Sequence, residues 1–204
     1  MTLGVNQKYD LSKELTFKSF KLLPEIVSVL ENQLGFMSPT PIQRLAIPSL
    51  IKGKSALLAA QTGTGKTLAY TIPLIHRLKQ AELQSETQLT LPHRPRAVIL
   101  VPSRELVQQV TTDALKPFQY EVPLRFGGLW PGQNHKIESA KLLAGLDCAV
   151  CTFDRMQHRR DGDKLFMSHV ETLIIDEFDT FVDSGHEDSI RKLLDSHLAK
   201  NSNR

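Results

Sequence analysis

Ser55-Ala56-Leu57-Leu58-Ala59-Ala60-Gln61-Thr62-Gly63-Thr64-Gly65-Lys66-Thr67 is the stretch on which the fold turns. An apolar run, Ser55–Ala60, has the length of a strand. It gives way to a loop with two glycines and then to Lys-Thr, where a helical periodicity begins and runs to about Gln80. Strand, glycine-rich loop and helix in that order form the context a phosphate-binding loop requires. Gly63 and Gly65 let the backbone wrap closely and turn its N–H groups towards anionic oxygens. The helix N-terminus adds partial positive charge. Gln61, Thr62, Gly63, Thr64 and Gly65 are therefore expected to cradle the phosphates of a nucleoside triphosphate. Lys66 is expected to neutralise the β- and γ-phosphates, and the Thr67 hydroxyl to ligate Mg2+.

Outward from this loop, two periodicities alternate. Strand-like runs fall at Ser55–Ala60, Ala97–Val101, Val122–Phe126, Asp147–Cys151 and Val170–Ile175. Helical stretches fall at Gly65–Gln80, Ser103–Pro117, Asn134–Ala144, Phe153–Gln157 and Glu187–Ala199, with two more in front, Pro24–Leu34 and Pro41–Ile51. Strands alternating with helices predict an α/β fold, a mostly parallel sheet with helices on both faces. Ala81–Arg96 is polar with two prolines and reads as an exposed loop. Lys200–Arg204 is polar and expected to fray.

Leu173-Ile174-Ile175-Asp176-Glu177 sets two carboxylates at the end of an apolar strand. In open α/β sheets ligands sit beyond the carboxyl ends of the strands. Asp176 is expected to hold Mg2+ through water, and Glu177 to orient or deprotonate an attacking water. The bland alternative is an acidic helix start.

The chain has 204 residues, 41% apolar and 23% charged, with a net charge of +3. That composition is ordinary for a soluble globular domain, and the mild basic excess permits a nucleic-acid partner without demanding one. No apolar run is long enough for a transmembrane helix. The first residues fit neither a secretory signal nor a transit peptide, which favours an intracellular protein, in nucleus, cytoplasm or organelle. Cys148 and Cys151 are spaced like a metal or redox half-site. On a strand, however, residues i and i+3 point to opposite faces, so two thiols of a buried strand is the expected reading.

Beyond these residues, the sequence resembles the first RecA-like domain of the DEAD-box ATP-dependent RNA helicases, over roughly Phe17 to Leu194. Gly35-Phe36-Met37-Ser38-Pro39-Thr40-Pro41-Ile42-Gln43 looks like the Q motif, and Ala60 to Thr67 like motif I. Pro102-Ser103-Arg104-Glu105-Leu106 with Gln109 is similar to motif Ia. Gly127-Gly128 resembles the glycine doublet, and Asp176-Glu177-Phe178-Asp179 stands where motif II belongs. The resemblance implies a RecA-like P-loop NTPase fold over residues 17–204 behind a short extension, residues 1–16. It implies ATP as nucleotide, with Gln43 reading the adenine edge and Phe17 stacking on the base. It also implies RNA as partner, held along its backbone by Pro102, Arg104, Gly127, Gly128, Thr152 and Arg155.

Three departures from the family pattern stand out. Thr152-Phe153-Asp154-Arg155 occupies the slot of Thr-Pro-Gly-Arg. A carboxylate at 154 facing an RNA phosphate at about 4 Å would be repelled by roughly 4 kcal/mol at an effective dielectric near 20. Asp154 could instead cap its helix and point away. Phe178 replaces a small residue between the motif II acids, either facing core or altering the turn behind them. The sequence ends at Arg204, before the family's Ser-Ala-Thr motif and second RecA-like domain, the source of its arginine fingers. Turnover by this polypeptide alone is therefore expected to be weak. A turnover-impaired RNA-binding scaffold is the alternative to an active helicase half.

Overall fold

A computed structural model describes residues 15–202, the last five by backbone alone. Nearly all of the extension at residues 1–16, and the side chains of the expected fraying end, lie outside the described residues. Two compact units divide the described residues: one holds those up to Gln88 together with Thr112–Leu124, the other Leu89–Thr111 together with those from Arg125 onward.

The first unit is helical. A 3-10 turn, Phe17–Phe20, precedes α1 (Pro24–Ser28), α2 (Pro41–Ile51) and α3 (Lys66–Gln84). Prolines open α1 and α2, where the missing N–H costs nothing. Ile26, Val29, Leu30, Ile47, Ile72 and Ile75 are fully buried. His76 of α3 is buried among them, and its Nδ1 accepts a hydrogen bond from Leu23 N at 3.2 Å. That bond requires the neutral ring with its proton on Nε2. The expected strand Ser55–Ala60 is a correction: the segment joins none of the four strands and holds one bridging residue, Leu57, which is 59% exposed. Its serine and three alanines bury little area and have weak strand preference, so nothing local holds it to a ladder.

The second unit carries the sheet. β1 (Ala97–Val101), β2 (Phe126–Leu129), β3 (Cys148–Thr152) and β4 (Thr172–Ile175) lie in the order β2-β3-β1-β4, all parallel. α4 (Arg104–Gln109), α5 (His135–Ala144), α6 (Phe153–Asp161), α7 (Phe178–Asp183) and α8 (Glu187–Ser202) complete it. One sheet face, with Val98, Leu100, Leu129, Ala149 and Cys151, packs against Leu142, Phe153, Met156, Phe181 and Ile190. The other face, with Ala97, Ile99, Cys148 and Val150, is equally buried. Cys148 and Cys151 are both free and buried, on opposite faces as expected. Burial pushes the Cys151 thiol up to about 12 and the Cys148 thiol higher still, so neither is a ready nucleophile or metal ligand.

Several boundaries move. α3 runs on to Gln84, into the stretch Ala81–Arg96 expected as an exposed loop, and Pro95 and Arg96 at the end of that stretch are buried against the sheet's start. The expected strand Val122–Phe126 is instead Phe126–Leu129. Pro123 cannot donate to a ladder, whereas Gly127 and Gly128 fit where a side chain would not. A Cβ on Gly127 would meet Leu146 at 2.7 Å, and one on Gly128 would meet Trp130 at 2.7 Å. The helix at Phe153 runs on to Asp161.

α5 and α6 are clamped by a buried carboxylate. Glu138 is fully buried and accepts from Arg159 Nε at 2.8 Å, from Arg155 Nε at 3.1 Å and from Arg155 Nη2. Burial pushes its pKa up, but the hydrogen bonds from Arg159 and Arg155 outweigh it and hold the carboxyl below its ordinary range. Removing it strands two guanidinium groups, one of them 2% exposed. Glu138→Ala is expected to destabilise the second unit by about 3–5 kcal/mol, read from urea unfolding. A shift below 1 kcal/mol would deny the clamp its role.

His76 gives a pH signature to the first unit. Burial lowers its pKa, so protons bind the unfolded chain more readily than the folded one. Its contribution is present above the ordinary histidine value of about 6.5 and is lost as pH falls below it. His76→Gln keeps an acceptor for Leu23 N and is expected to flatten the fall in unfolding midpoint between about pH 6.5 and 5. Parallel profiles for wild type and variant would rule this out.

Candidate nucleotide and nucleic-acid site

In the first unit, the phosphate loop runs from Ala60 into α3. Gln61, Thr62 and Gly63 are exposed at its crest, and Thr64 to Thr67 are half-buried. Gly63 has φ +78° and Gly65, capping α3, has φ +89°, conformations that side-chain-bearing residues resist. Thr64 Oγ1 donates to Gln61 O at 2.7 Å, and Lys66 Nζ donates to Ala60 O, closing the loop on itself.

Gln43 joins the expected Q motif to this loop. Only 3% exposed, it accepts from Thr40 N at 3.0 Å and donates from Nε2 to Gly65 O at 3.2 Å. A Cβ on Gly65 would sit 2.6 Å from that nitrogen, a second reason for glycine there. Each end of the carboxamide keeps one further hydrogen-bonding capacity, an acceptor lone pair and a donor N–H. Thr40 Oγ1 is buried without a partner. Phe17, expected to stack on the base, is 1% exposed and packs edge-on to Phe20 at 6.3 Å.

In the second unit, the remaining expected residues gather at the carboxyl edge of the sheet. The ladder pairs Val101 with Thr152 and Leu100 with Ile175. Pro102, Thr152 and Asp176 therefore leave three adjacent strands at nearly one level. Ser103 caps α4 by accepting from Leu106 N at 3.2 Å, which leaves Arg104 exposed on its first turn. Thr152 is 7% exposed, and its hydroxyl, at the start of α6, has no hydrogen-bond partner. An unpaired buried hydroxyl costs about 1–3 kcal/mol, which a ligand oxygen could recover. Asp176 Oδ1 accepts from Glu177 N at 3.0 Å, and Glu177 sits at φ +50°, ψ 50°. A left-handed glutamate stores about 1–3 kcal/mol of strain and holds its carboxylate at the head of α7.

The departures from the family pattern resolve in this unit. Arg155 is committed to Glu138 rather than presented to a ligand. Asp154 turns to His186, its Oδ1 3.2 Å from Nε2, while the His186 ring packs edge-on to Phe153 at 5.3 Å. Phe178 does not face the core; it is 40% exposed, as is its helical neighbour Val182 at 38%. Sequence reasoning missed α7, Glu138 and His186. Only the spacing of Phe178, Phe181 and Val182 signalled the helix.

For a divalent cation the donors named in the sequence fit Mg2+ in kind: the Thr67 hydroxyl and the Asp176 carboxylate are oxygen ligands. Among the described residues no three His, Cys, Asp or Glu side chains gather as a cage. Mg2+ keeps several waters and leans on substrate phosphates, so few protein ligands suffice. Among the described residues no helix is long and apolar enough to cross a membrane.

Comparison with known proteins gives a consistent result. A family model described as DEAD/DEAH box helicase matches residues 40–203. The human ATP-dependent DNA helicase DDX31 is 34% identical over 88% of this chain and 21% of its own length. The ATP-dependent RNA helicase RhlB of Sodalis glossinidius is 36% identical over 89% of this chain and 42% of its own. Among solved structures, the yeast DEAD-box splicing factor Prp28 aligns with a TM-score of 0.71 at 29% identity, covering 88% of this chain and 42% of that one. A hypothetical ATP-dependent RNA helicase from Sulfolobus tokodaii aligns at 0.70 and 27%, covering 88% and 47%. The chain thus spans less than half the length of these relatives. With the family model covering most of its residues, the chain belongs to the DEAD/DEAH box helicases, of which it carries the first RecA-like domain.

Proposed function

We propose that this chain is the ATP-binding half of an ATP-dependent RNA helicase, coupling ATP binding and hydrolysis to RNA binding and duplex remodelling. The observation that carries the reading is the alignment of Pro102, Thr152 and Asp176 on adjacent strand ends, with the unpartnered Thr152 hydroxyl among them. Support also comes from Gln43, whose buried carboxamide links the Q motif to the phosphate loop.

In this reading ATP is held by Gln61 to Thr67, with Lys66 exchanging its Ala60 contact for the β- and γ-phosphates. Thr67 of the first unit and Asp176 of the second each offer an oxygen of the kind that would hold Mg2+, which when bound would screen the phosphate charge. Gln43 meets the adenine edge with its remaining donor and acceptor. Glu177 orients water and accepts its proton. RNA phosphates lie along Pro102, Arg104, Gly128 and Thr152, read by backbone shape. Arg155 serves this path by fixing α6 through Glu138. Full turnover takes a second RecA-like domain supplying arginine fingers.

A second reading, an ATP-gated RNA clamp with impaired turnover, draws on the exposed Phe178 and on Asp154 diverted to His186. RNA-stimulated ATP hydrolysis by the intact protein separates the two. Glu177→Gln is expected to lower the stimulated rate by about 10²–10⁴-fold while retaining ATP binding. Lys66→Ala is expected to lose ATP binding. Equal rates in wild type and both variants would overturn the enzymatic reading, and tight ATP binding without stimulated hydrolysis in wild type would select the clamp. Stimulation by single-stranded DNA in preference to RNA would overturn the substrate assignment.

Arg104 tests the RNA path. Binding is expected to weaken steeply with salt, and Arg104→Ala to flatten the log–log slope by about 0.7, the value for one single-strand phosphate contact. An unchanged slope would remove Arg104 from the path.

A further inference from the structure

The surface beyond the glycine doublet carries chemistry that the reading above leaves unused. β2 is the outer strand of the sheet, and its last residue, Leu129, pairs with Cys151, one residue before Thr152. Trp130 therefore leaves the sheet at the carboxyl edge, beside Thr152 and on its outer side.

The residues around Trp130 are tightly arranged. Gln133 N donates to Trp130 O at 3.3 Å across Pro131-Gly132, and Gly132 has φ +83°, a type II turn. The Trp130 ring fills the space over Gly128 that a Cβ would need. With its carboxamide turned so that nitrogen faces Gly128 O and oxygen faces Lys141 Nζ, the orientation that satisfies both neighbours, Gln133 donates to the first at 3.1 Å and accepts from the second at 3.2 Å. Lys141 Nζ lies 5.9 Å from the centre of the Trp130 ring. Glycine doublet, indole, amide and ammonium thus form one preorganised cluster with a half-buried indole at its surface.

Charge around this cluster is one-sided. Between Val122 and Phe153 the acids are Glu138 and Asp147, 0% and 3% exposed and each held by arginine. The basic residues of the same stretch are Arg125, Lys136 and Lys141; Arg125 and Lys136 are exposed and Lys141 is half-buried. The ion pairs that Glu138 and Asp147 make go to Arg155, Arg159 and Arg96, so neither acid neutralises Lys136 or Lys141; Arg125 precedes β2 at the amino edge, away from the cluster, and donates to Ala144 O. A flat aromatic ring among uncompensated cations suits a single-stranded nucleic acid, the cations taking phosphates and the ring packing on a base or ribose without regard to sequence.

We propose that Trp130, Lys136 and Lys141 form an outer RNA contact that extends the path of Pro102, Arg104, Gly128 and Thr152 past the edge of the sheet. It rests on the RNA reading given above, and the experiment below keeps the two apart.

Trp130 is the single tryptophan of the chain, so its emission reports on this spot alone. A dye-labelled oligouridine is titrated into the protein with a non-hydrolysable ATP analogue, and dye anisotropy and indole emission are followed together. The expected result is a saturable change in emission with the same midpoint as the anisotropy. A Lys136→Gln, Lys141→Gln double variant, with unchanged analogue affinity and circular dichroism, is expected to flatten the salt slope by about 1.4, twice the value for one contact. Emission unmoved at saturating RNA, together with a wild-type slope in the double variant, overturns the outer contact. If Arg104→Ala still flattens the slope in that case, the main path stands. RNA that does not bind at all overturns both.

Discussion

The parallel pairing of β1 between β3 and β4 is the constraint on which the rest depends. All five residues of β1 are fully buried, and both flanking ladders run the same way. Parallel neighbours cannot be joined by tight hairpins, so each strand must be followed by a crossover that covers a face of the sheet. Every loop that follows a strand then leaves from the same edge, and ligand chemistry collects there. The register places Thr152 opposite Val101 and Ile175 opposite Leu100. A slip of one residue would exchange the side chains that pack on the two buried faces, so the packing of β1 also fixes the level at which Pro102, Thr152 and Asp176 emerge.

The start of α6 depends on a second constraint. Glu138 is a charge in a place that tolerates none unless it is fully paired, and Arg155 and Arg159 supply the pairing from one face of α6. Arg155 is thereby withdrawn from the surface where the family pattern would offer it to a phosphate. Asp154, one residue earlier, points another way and meets His186. The bulk at 153 is accommodated because Phe153 packs edge-on to Phe181 at 6.4 Å as well as to His186. The substitutions in this segment are thus supported by partners from the region of α7, which begins directly after the motif II acids.

What was legible in the sequence was whatever a short window determines. Glycine, lysine and threonine at fixed spacing mark the phosphate loop because backbone conformation and charge act locally, and Gly63 and Gly65 do adopt positive φ. Continuous apolar runs located β1, β3 and β4 within two residues; β1 and β3 are buried at every position, which calls for such runs, while β4 is half-buried throughout. The failures are tertiary. Ser55–Ala60 has the apolar character of a strand but too little side-chain area to enforce pairing. β2 was displaced because its glycines, which lower strand preference, are selected by the side chains of Leu146 and Trp130. The clamp at Glu138 joins residues 17 and 21 apart in sequence, a separation no periodicity reveals.

Charge is sorted along the carboxyl edge in the order of the strands. At the β2 end the exposed cation is Lys136, at the start of α5, and the carboxylate of that helix, Glu138, is drawn inward. At the β4 end Asp176 and Glu177 are followed by exposed Asp179, Asp183, Glu187 and Asp188. An edge of uniform sign would serve one charged ligand and repel the other. A polyanion and a metal cation need opposite fields, and across four strands spaced about 4.8 Å apart the two are separated by more than a Debye length at physiological salt. The acidic end can then favour a cation without weakening phosphate binding at the basic end. That separation exists because the acid nearest the basic end, Glu138, is spent on structure: the interaction that clamps α5 to α6 is also the one that leaves the outer edge positive.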